Sequence, residues 1–420
     1  MPTPSDLFPD TYEESRARFR QSLAQVQARW PNAHLNSHRL AGDEDLTIDW
    51  IHAEALESKD RLLLFTIGEH GIEAYAGSAM LQLFTAEMLP HLDPASTGLL
   101  LVHPINPWGM KHHRRTNHQN VDLNRSFIPP HAPPSPSAPP PSHASAGPQS
   151  GAPPSPNAPP PSHASAGPQS GDTFNPDYAK LNTYLNPPHP IRSLLLSNLA
   201  FLLKTLWFTI SLGNARFRHT MLLGQYRFPH GLYYGGESTP EETQVLMDLY
   251  RAYIQQYAHI LHLDMHTGYG PRYQMSVVNS ALEPRDSGEL QRLFDYPLVV
   301  KANPAEFYAI QGDMIDYIYT LVRDEFPGKH LYATSFEFGT LGNSTAAALR
   351  SVRAAIRENQ AHWFGTHSAQ QRDRVTRDYQ ALFAPTEEHW RAKAIADARQ
   401  AFQGILCAEG FTKPNLAKVP

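Results

Sequence analysis

The stretch that most restricts the fold is the apolar run 61–67 followed by Gly68-Glu69-His70-Gly71-Ile72-Glu73. Arg-Leu-Leu-Leu-Phe-Thr-Ile has the length and composition of a buried strand. Residues 74–89 then read as a helix, small at first, with Met80, Leu81, Leu83 and Phe84 for packing. Residues 98–102, Gly-Leu-Leu-Leu-Val, form a second buried strand closed by His103-Pro104-Ile105-Asn106-Pro107. Two strands joined by a helix predict a sheet with helical crossovers.

His70 and Glu73 stand three apart where the first strand ends. An imidazole nitrogen and a carboxylate at that spacing can close on one metal ion. Zinc takes such ligands in catalytic sites, where two His and one Glu leave a fourth position for water. The competing reading is a turn with two solvated polar residues.

The rest of the chain repeats the alternation. Strands are expected at 46–50, 260–264, 297–301 and 331–336, and helices at 12–29, 241–258, 312–323, 345–359 and 387–402. The expected fold is α/β, a mostly parallel or mixed central sheet covered by helices on both faces. Ligand sites in such sheets gather at the carboxyl ends of strands, and three more strands end in chemically loaded turns. Asp264-Met-His266-Thr-Gly268 offers His266 as the missing nitrogen ligand. Ser335-Phe-Glu337 offers Glu337 as a general base toward a metal-bound water, or as a cap or ion-pair partner. The loop after 98–102 carries Arg114, Arg115, Asp122, Asn124 and Arg125, and guanidinium groups suit carboxylates and oxyanions.

Composition narrows the partners. A formal charge of -5 and a balanced surface give no electrostatic footprint for nucleic acid or anionic membrane. Cys407, the single cysteine, excludes an internal disulfide and makes thiolate metal ligation improbable. Met-Pro-Thr-Pro-Ser-Asp has no basic stretch followed by an apolar core, so no signal peptide is read and a cytoplasmic location is expected. Residues 132–151 and 152–171 are a 20-residue tandem repeat differing only at Ser137 and Asn157. The repeat has no Asp, Glu, Lys or Arg and nothing to build a core, so 128–172 is expected to be a disordered, partly polyproline-II insertion in one domain spanning 1–420. Residues 194–212 are the most apolar helix. Lys204 and a polar stripe argue for a buried or partner-covered helix, not a membrane span.

In order along the chain stand His70/Glu73, Arg115, Asp122/Asn124/Arg125, Asp264/His266, Tyr308 and Glu337. This succession resembles the zinc metallocarboxypeptidases. The stretch from Tyr308 through Gly312 to Asp316-Tyr317 adds to it. So does the Gly- and aromatic-rich loop 224–236, which is similar to one in an uncharacterised, mainly bacterial branch. The resemblance covers about residues 45–350 without the repeat. It implies one zinc ion on His70, Glu73 and His266, with Glu337 as the base and Arg115 facing the oxyanion. Arg114, its neighbour, is the alternative. Asn124 and Arg125 would hold a substrate carboxylate, Tyr308 would close over the substrate, and Asp122 would accept the far N–H of a ligand His. Ile315 falls where the family selects the side chain, which points to an apolar terminal residue. The implied activity is hydrolysis of an amide beside a free carboxylate, on a peptide or on a small acylated amino acid. A non-catalytic binding protein that recruits partners through the repeat is the reading from another class. Oligomeric state is not legible.

Overall fold

In the computed structural model, residues 4–42, 44–128, 175–213, 216–217, 219–220, 223–301 and 311–413 are described. The proline-rich repeat and Tyr308 lie outside them. The strands are β1 (His34–Arg39), β2 (Thr47–Ala53), β3 (Arg61–Ile67), β4 (Thr97–His103), β5 (His259–Thr267), β6 (Met275–Asn279), β7 (Val299–Lys301) and β8 (His330–Phe338). They form one sheet in the order β1-β2-β4-β3-β5-β8-β6-β7. The inner four, β4-β3-β5-β8, are parallel. The sheet turns antiparallel where β2 meets β4 and where β6 meets β8. From β3 the chain first steps to β4 and later returns to β5 on the other side. The crevice beyond the carboxyl end of β3 is therefore a topological switch point.

Strand side chains alternate between two cores. Leu63, Phe65, Ile67, Leu261, Leu263 and Met265 join the first. There they meet α1 (Tyr12–Gln27), α2 (Ala74–Leu83) and, at the far end of the chain, the C-terminal helix Glu388–Ala408. Leu62, Leu64, Leu100, Val102 and Ile260 join the second. A short α3 (Pro107–Lys111) follows β4, and α4 (Tyr178–Leu185) and α5 (Leu194–Leu212) precede α6 (Glu241–Ile254). The next helices are α7 (Ser287–Phe294), α8 (Met314–Glu325), α9 (Thr345–Phe364) and α10 (Ala369–Phe383), and the C-terminal helix is α11. α6 and α8 cover the second face. This is the helix-covered mixed sheet that the alternation predicts.

Two helical expectations are corrected. The helix expected over 74–89 keeps α geometry only to Leu83, then becomes a π-turn over Phe84–Met88 and a 3-10 turn over Leu89–His91. Pro90 has no N–H for the α ladder, and Thr85 Oγ1 separately donates to the Leu81 and Gln82 carbonyls. α5 has the expected bounds, but among its residues only Phe201, Thr205 and Phe208 are buried. Of the two covers expected for it, burial within the chain is corrected: one stripe packs on α4 and α9, and its large outward side chains are exposed.

Candidate metal centre

Strand β5 changes character along one face. Ile260 is apolar and packs in the second core, and His262, Asp264 and His266 follow on that same face, all buried. The opposite face stays apolar through Leu261, Leu263 and Met265. Buried polar groups need partners, and here they form a column. Thr66 Oγ1 on β3 donates to Asp264 Oδ1 at 2.6 Å and lies 2.9 Å from His262 Nε2. Asp264 Oδ2 is in close contact with His266 Nε2.

The turn after β3 brings the second group. Gly68 has φ +73, the left-handed conformation that glycine adopts freely. A Cβ there would also lie 2.8 Å from the Ala74 and Pro104 side chains. The chain then turns through a 3-10 step at Gly71–Glu73 into α2. That step is braced by the loop after β4: Gly71 N–H donates to Arg115 O at 3.1 Å and Ile72 N–H to Arg114 O at 2.8 Å. Two loops from neighbouring strands are thereby held as one floor.

On this floor His70 Nδ1 lies 3.1 Å from Glu73 Oε1. His266 Nδ1 lies 3.1 Å from Glu73 Oε2 and 3.2 Å from His70 Nδ1. At zinc–ligand distances of about 2.0–2.1 Å, tetrahedral donors stand about 3.3–3.4 Å apart. The donor set, two imidazoles and one carboxylate on edges of this length, fits a single zinc-type ion. The far nitrogen of each imidazole fits as well. His70 Nε2 is 3.1 Å from Asp122 Oδ1, and His266 Nε2 is on Asp264. Carboxylate partners of this kind fix the tautomer and orientation of metal-binding histidines. Glu69 is also within ligand distance of His70 and His266. It approaches His266 at Nε2, 3.4 Å away, on the side already held by Asp264. Glu73 faces Nδ1 of both rings and is the carboxylate that completes the donor triangle.

Charge on the floor is dense. Burial pushes the Glu73 carboxyl up, but His70, His266 and Arg115 outweigh it and hold it well below the usual carboxylate range. Asp122 is likewise held low against burial by Arg115, Arg125 and His70. Burial opposes protonation of His266, yet Asp264 and Glu73 raise its pKa well above the ordinary imidazole value. Glu337 is the register partner of His266 on β8 and is half-buried. Among the described residues its Oε2 has no hydrogen-bond partner. Burial pushes the Glu337 carboxyl up to about 8 against the pull of His266; Glu73 and Asp264 add to the rise and Arg115 opposes it.

The two adjacent arginines part ways. Arg115 Nη1 is 3.0 Å from Glu73 Oε1 and its Nε 3.2 Å from Asp122 Oδ2, so its guanidinium stands on the floor. Arg114 turns away to Glu358, Asn120 and Asn359. Arg125 is buried beside Asp122, 3.9 Å from Oδ2, with the Tyr233 ring 5.7 Å away. Asn124 is already engaged: its amide donates to Asp313 Oδ2 at 3.1 Å and its carbonyl accepts from Met314 N–H at 2.9 Å. Ile315 is buried in the second core.

Sequence reasoning passed over Glu69 and gave Asp264 no role. Both are buried, and among the described residues both Glu69 carboxylate oxygens lack hydrogen-bond partners. The missed signal was the run of polar residues at alternate positions on a strand otherwise apolar enough to be central. A second His/Glu group, His259, His330 and Glu409, stands at the amino ends of β5 and β8, the opposite end of the sheet.

The model of a family described as a protein of unknown function (DUF2817) matches residues 8–397. No curated protein matches the chain. Among solved structures the chain is similar to bovine thrombin-activatable fibrinolysis inhibitor, with 13% identity, TM-score 0.41, and 85% of this chain and 96% of that one covered. It is similar to carboxypeptidase A from Helicoverpa armigera, with 11% identity, TM-score 0.43, and 90% and 75% covered. It is also similar to a succinylglutamate desuccinylase from Silicibacter, with 14% identity, TM-score 0.34, and 79% and 67% covered.

Proposed function

The chain belongs to the DUF2817 family, and on that footing we propose that it is a zinc-dependent hydrolase that cleaves an amide bond beside a free carboxylate, a carboxypeptidase-type activity. The observation that carries this reading is the triangle of His70 Nδ1, His266 Nδ1 and the Glu73 carboxylate, with edges of 3.1–3.2 Å, each ring backed by a buried aspartate. When bound there, zinc supplies Lewis-acid polarisation of the scissile carbonyl and a water acidified toward a pKa of about 7.

The chain's own residues supply the rest. Glu337 stands beside His266 with one carboxylate oxygen unpartnered, the position for a proton acceptor. Ionised by the favourable charge of a cation held on His70, Glu73 and His266, it would take a proton from the attacking water and return it to the leaving amine, a contribution of about 10²–10⁴-fold. Arg115, anchored on Glu73 and Asp122, offers a fixed cation to the oxyanion that develops on the carbonyl. Arg125 is the guanidinium for the substrate carboxylate. Asn124, whose side chain is bonded to Asp313 Oδ2 and Met314 N–H at the start of α8, is the second proposed contact for that carboxylate. Tyr308 completes the proposed substrate contacts.

The test is metal analysis of purified full-length protein, then hydrolysis of one peptide set with free and with amidated carboxyl termini, and of N-acyl amino acids. About one zinc per chain and chelator-sensitive release of the last residue only from free termini are expected. Cleavage of N-acyl amino acids alone would make the enzyme a deacylase. A metal-free protein inactive on all three substrate classes would end the hydrolase reading.

A further inference from the structure

α5 places an apolar face against solvent. Leu195, Leu199, Leu203, Leu206, Trp207 and Ile210 are each between 55% and 77% exposed and follow one another at spacings of one to four residues. Contiguous exposed apolar patches of this kind mark interaction sites. Among the described residues it is the one helix long and apolar enough to cross a membrane by length and composition, but its Phe201, Thr205 and Phe208 are seated on the protein. A helix anchored along one side offers the other side to a surface instead of a span.

Charge says what kind of surface. The chain is net acidic, yet between Asp177 and Glu237 it has no Asp or Glu and six Lys and Arg. Between α9 and α10 lies a cavity of about 100 Å³ whose lining includes Arg350, Arg353 and Arg357 of α9 and Arg374 of α10, against one carboxylate, Asp378. Arg357 ties this cavity to the apolar helix: its Nη2 donates to Leu194 O at 2.8 Å and to Asn198 Oδ1 at 2.7 Å. The same side chain is buried, and among the described residues its Nε has no hydrogen-bond partner. Asp378 is taken by Arg374 at 3.2 Å. Burial, with Arg353 and Arg374 nearby and Asp378 opposing, lowers the Arg357 pKa to about 10. Arginine's planar fork suits phosphate oxygens.

We propose that this corner of the molecule docks on a bilayer containing anionic phospholipids, with the outward side chains of α5 at the acyl boundary and a headgroup phosphate in the arginine-walled cavity. Interfacial helices combine this apolar face with flanking Lys and Arg, and juxtamembrane cations add attraction to anionic leaflets.

The experiment is sedimentation of the full chain with vesicles of phosphatidylcholine, with and without phosphatidylglycerol. Association with the phosphatidylglycerol vesicles should exceed that with phosphatidylcholine alone by about tenfold and collapse on going from about 0.1 M to about 1 M salt. Leu203→Glu with Trp207→Glu, and separately Arg350→Ala with Arg353→Ala, should each reduce it by about tenfold at an unchanged melting temperature. These positions are exposed or half-buried, so neither double variant removes a core side chain. Three outcomes overturn the proposal. The first is vesicle association that neither double variant weakens. The second is calorimetric binding of inorganic phosphate, abolished by Arg350→Ala with Arg353→Ala, without any vesicle association; the cavity is then a free-phosphate site. The third is a dimer in sedimentation velocity that Leu203→Glu with Trp207→Glu dissociates, without vesicle association; α5 then covers a second copy.

Discussion

Three glutamates crowd the candidate centre, and their surroundings give them different tasks. Glu73 faces Nδ1 of both histidines, Glu69 lies behind His266, and Glu337 stands beside it in register with an unpartnered oxygen. Glu73→Gln is expected to lose zinc, because a neutral amide replaces an anionic ligand. Glu69→Gln should keep it, since burial, opposed by His266, already drives the Glu69 carboxyl well above its ordinary range toward the neutral form. Glu337→Gln should keep zinc and substrate binding while kcat falls by about 10²-fold or more. Metal content and single-turnover rates of the three variants check this assignment; zinc lost from Glu337→Gln and retained by Glu73→Gln would exchange the two roles. A pH effect belongs to the same residue. The Glu337 pKa is raised to about 8 in the fold, against about 4.3 unfolded. Between those values the folded state binds more protons than the unfolded one, so the side chain's contribution to stability is lost as pH rises. In chelator-stripped protein, Glu337→Gln should therefore melt higher than wild type, by a margin that grows from about pH 4.3 to about 8 and then levels. A margin that shrinks with pH would show that Glu337 is stabilised as an anion.

At the scale of elements, the site depends on how closely two turns approach. A Cβ on Gly71 would lie 2.1 Å from Gly109 C and 2.3 Å from Met110 N, both backbone atoms that cannot swing aside. Gly71→Ala should separate the turn after β3 from α3, disturb His70 and Glu73, and cost on the order of 2–4 kcal/mol. A thermal melt with parallel zinc analysis tests it, and a variant with wild-type melting and metal would show that the turn tolerates separation. The sequence displays this organisation unevenly. β3, β4, β5 and β8 are apolar runs and read directly. β1, His-Leu-Asn-Ser-His-Arg, carries one apolar side chain because it is an edge strand with little to bury, and hydrophobic periodicity cannot find it. β6 is five residues long and is sensed only through its pairing with β8 and β7. α10 is mostly polar and shows its buried side only in Val375, Tyr379, Leu382 and Phe383, a sparse stripe that makes sense once α9 is beside it. In the site, His-x-x-Glu and His266 near the carboxyl end of β5 were visible because strand ends expose chemistry in one-dimensional order. Which of Arg114 and Arg115 faces inward was not, because that depends on Glu358 and Asn359, more than 240 positions away. The outward face of α5 was not legible for the same reason: its hydropathy is that of a core helix.

At the scale of the whole molecule, one sheet carries different electrostatics at its two ends. The carboxyl ends of β3, β5 and β8 hold the candidate centre. At the amino ends of β5 and β8, His259 and His330 are register partners and both point at Glu409 Oε2, 3.2 and 3.0 Å away. Glu409 caps α11, and its other oxygen takes Arg285 Nη1 at 2.7 Å. This buried carboxylate ties the last helix to the sheet, and the C-terminal helix in turn fills the first core with Phe402, Ile405 and Leu406. Burial pushes the Glu409 carboxyl up, but His259, His330 and Arg285 outweigh it and hold it well below the ordinary range. A depressed carboxyl pKa stabilises the fold above the unfolded value and loses that contribution as pH falls through the folded one. Glu409→Gln should thus destabilise by about 2 kcal/mol near neutrality, a few degrees of melting temperature, and the gap to wild type should close as the pH drops below about 4.3. The two ends of β5 are about 25 Å apart along the strand, so zinc content and hydrolysis should not change. A variant that melts like wild type at neutral pH would remove the clamp. One that keeps its stability but loses metal would instead mean that the amino end of the sheet sets the geometry of the carboxyl end.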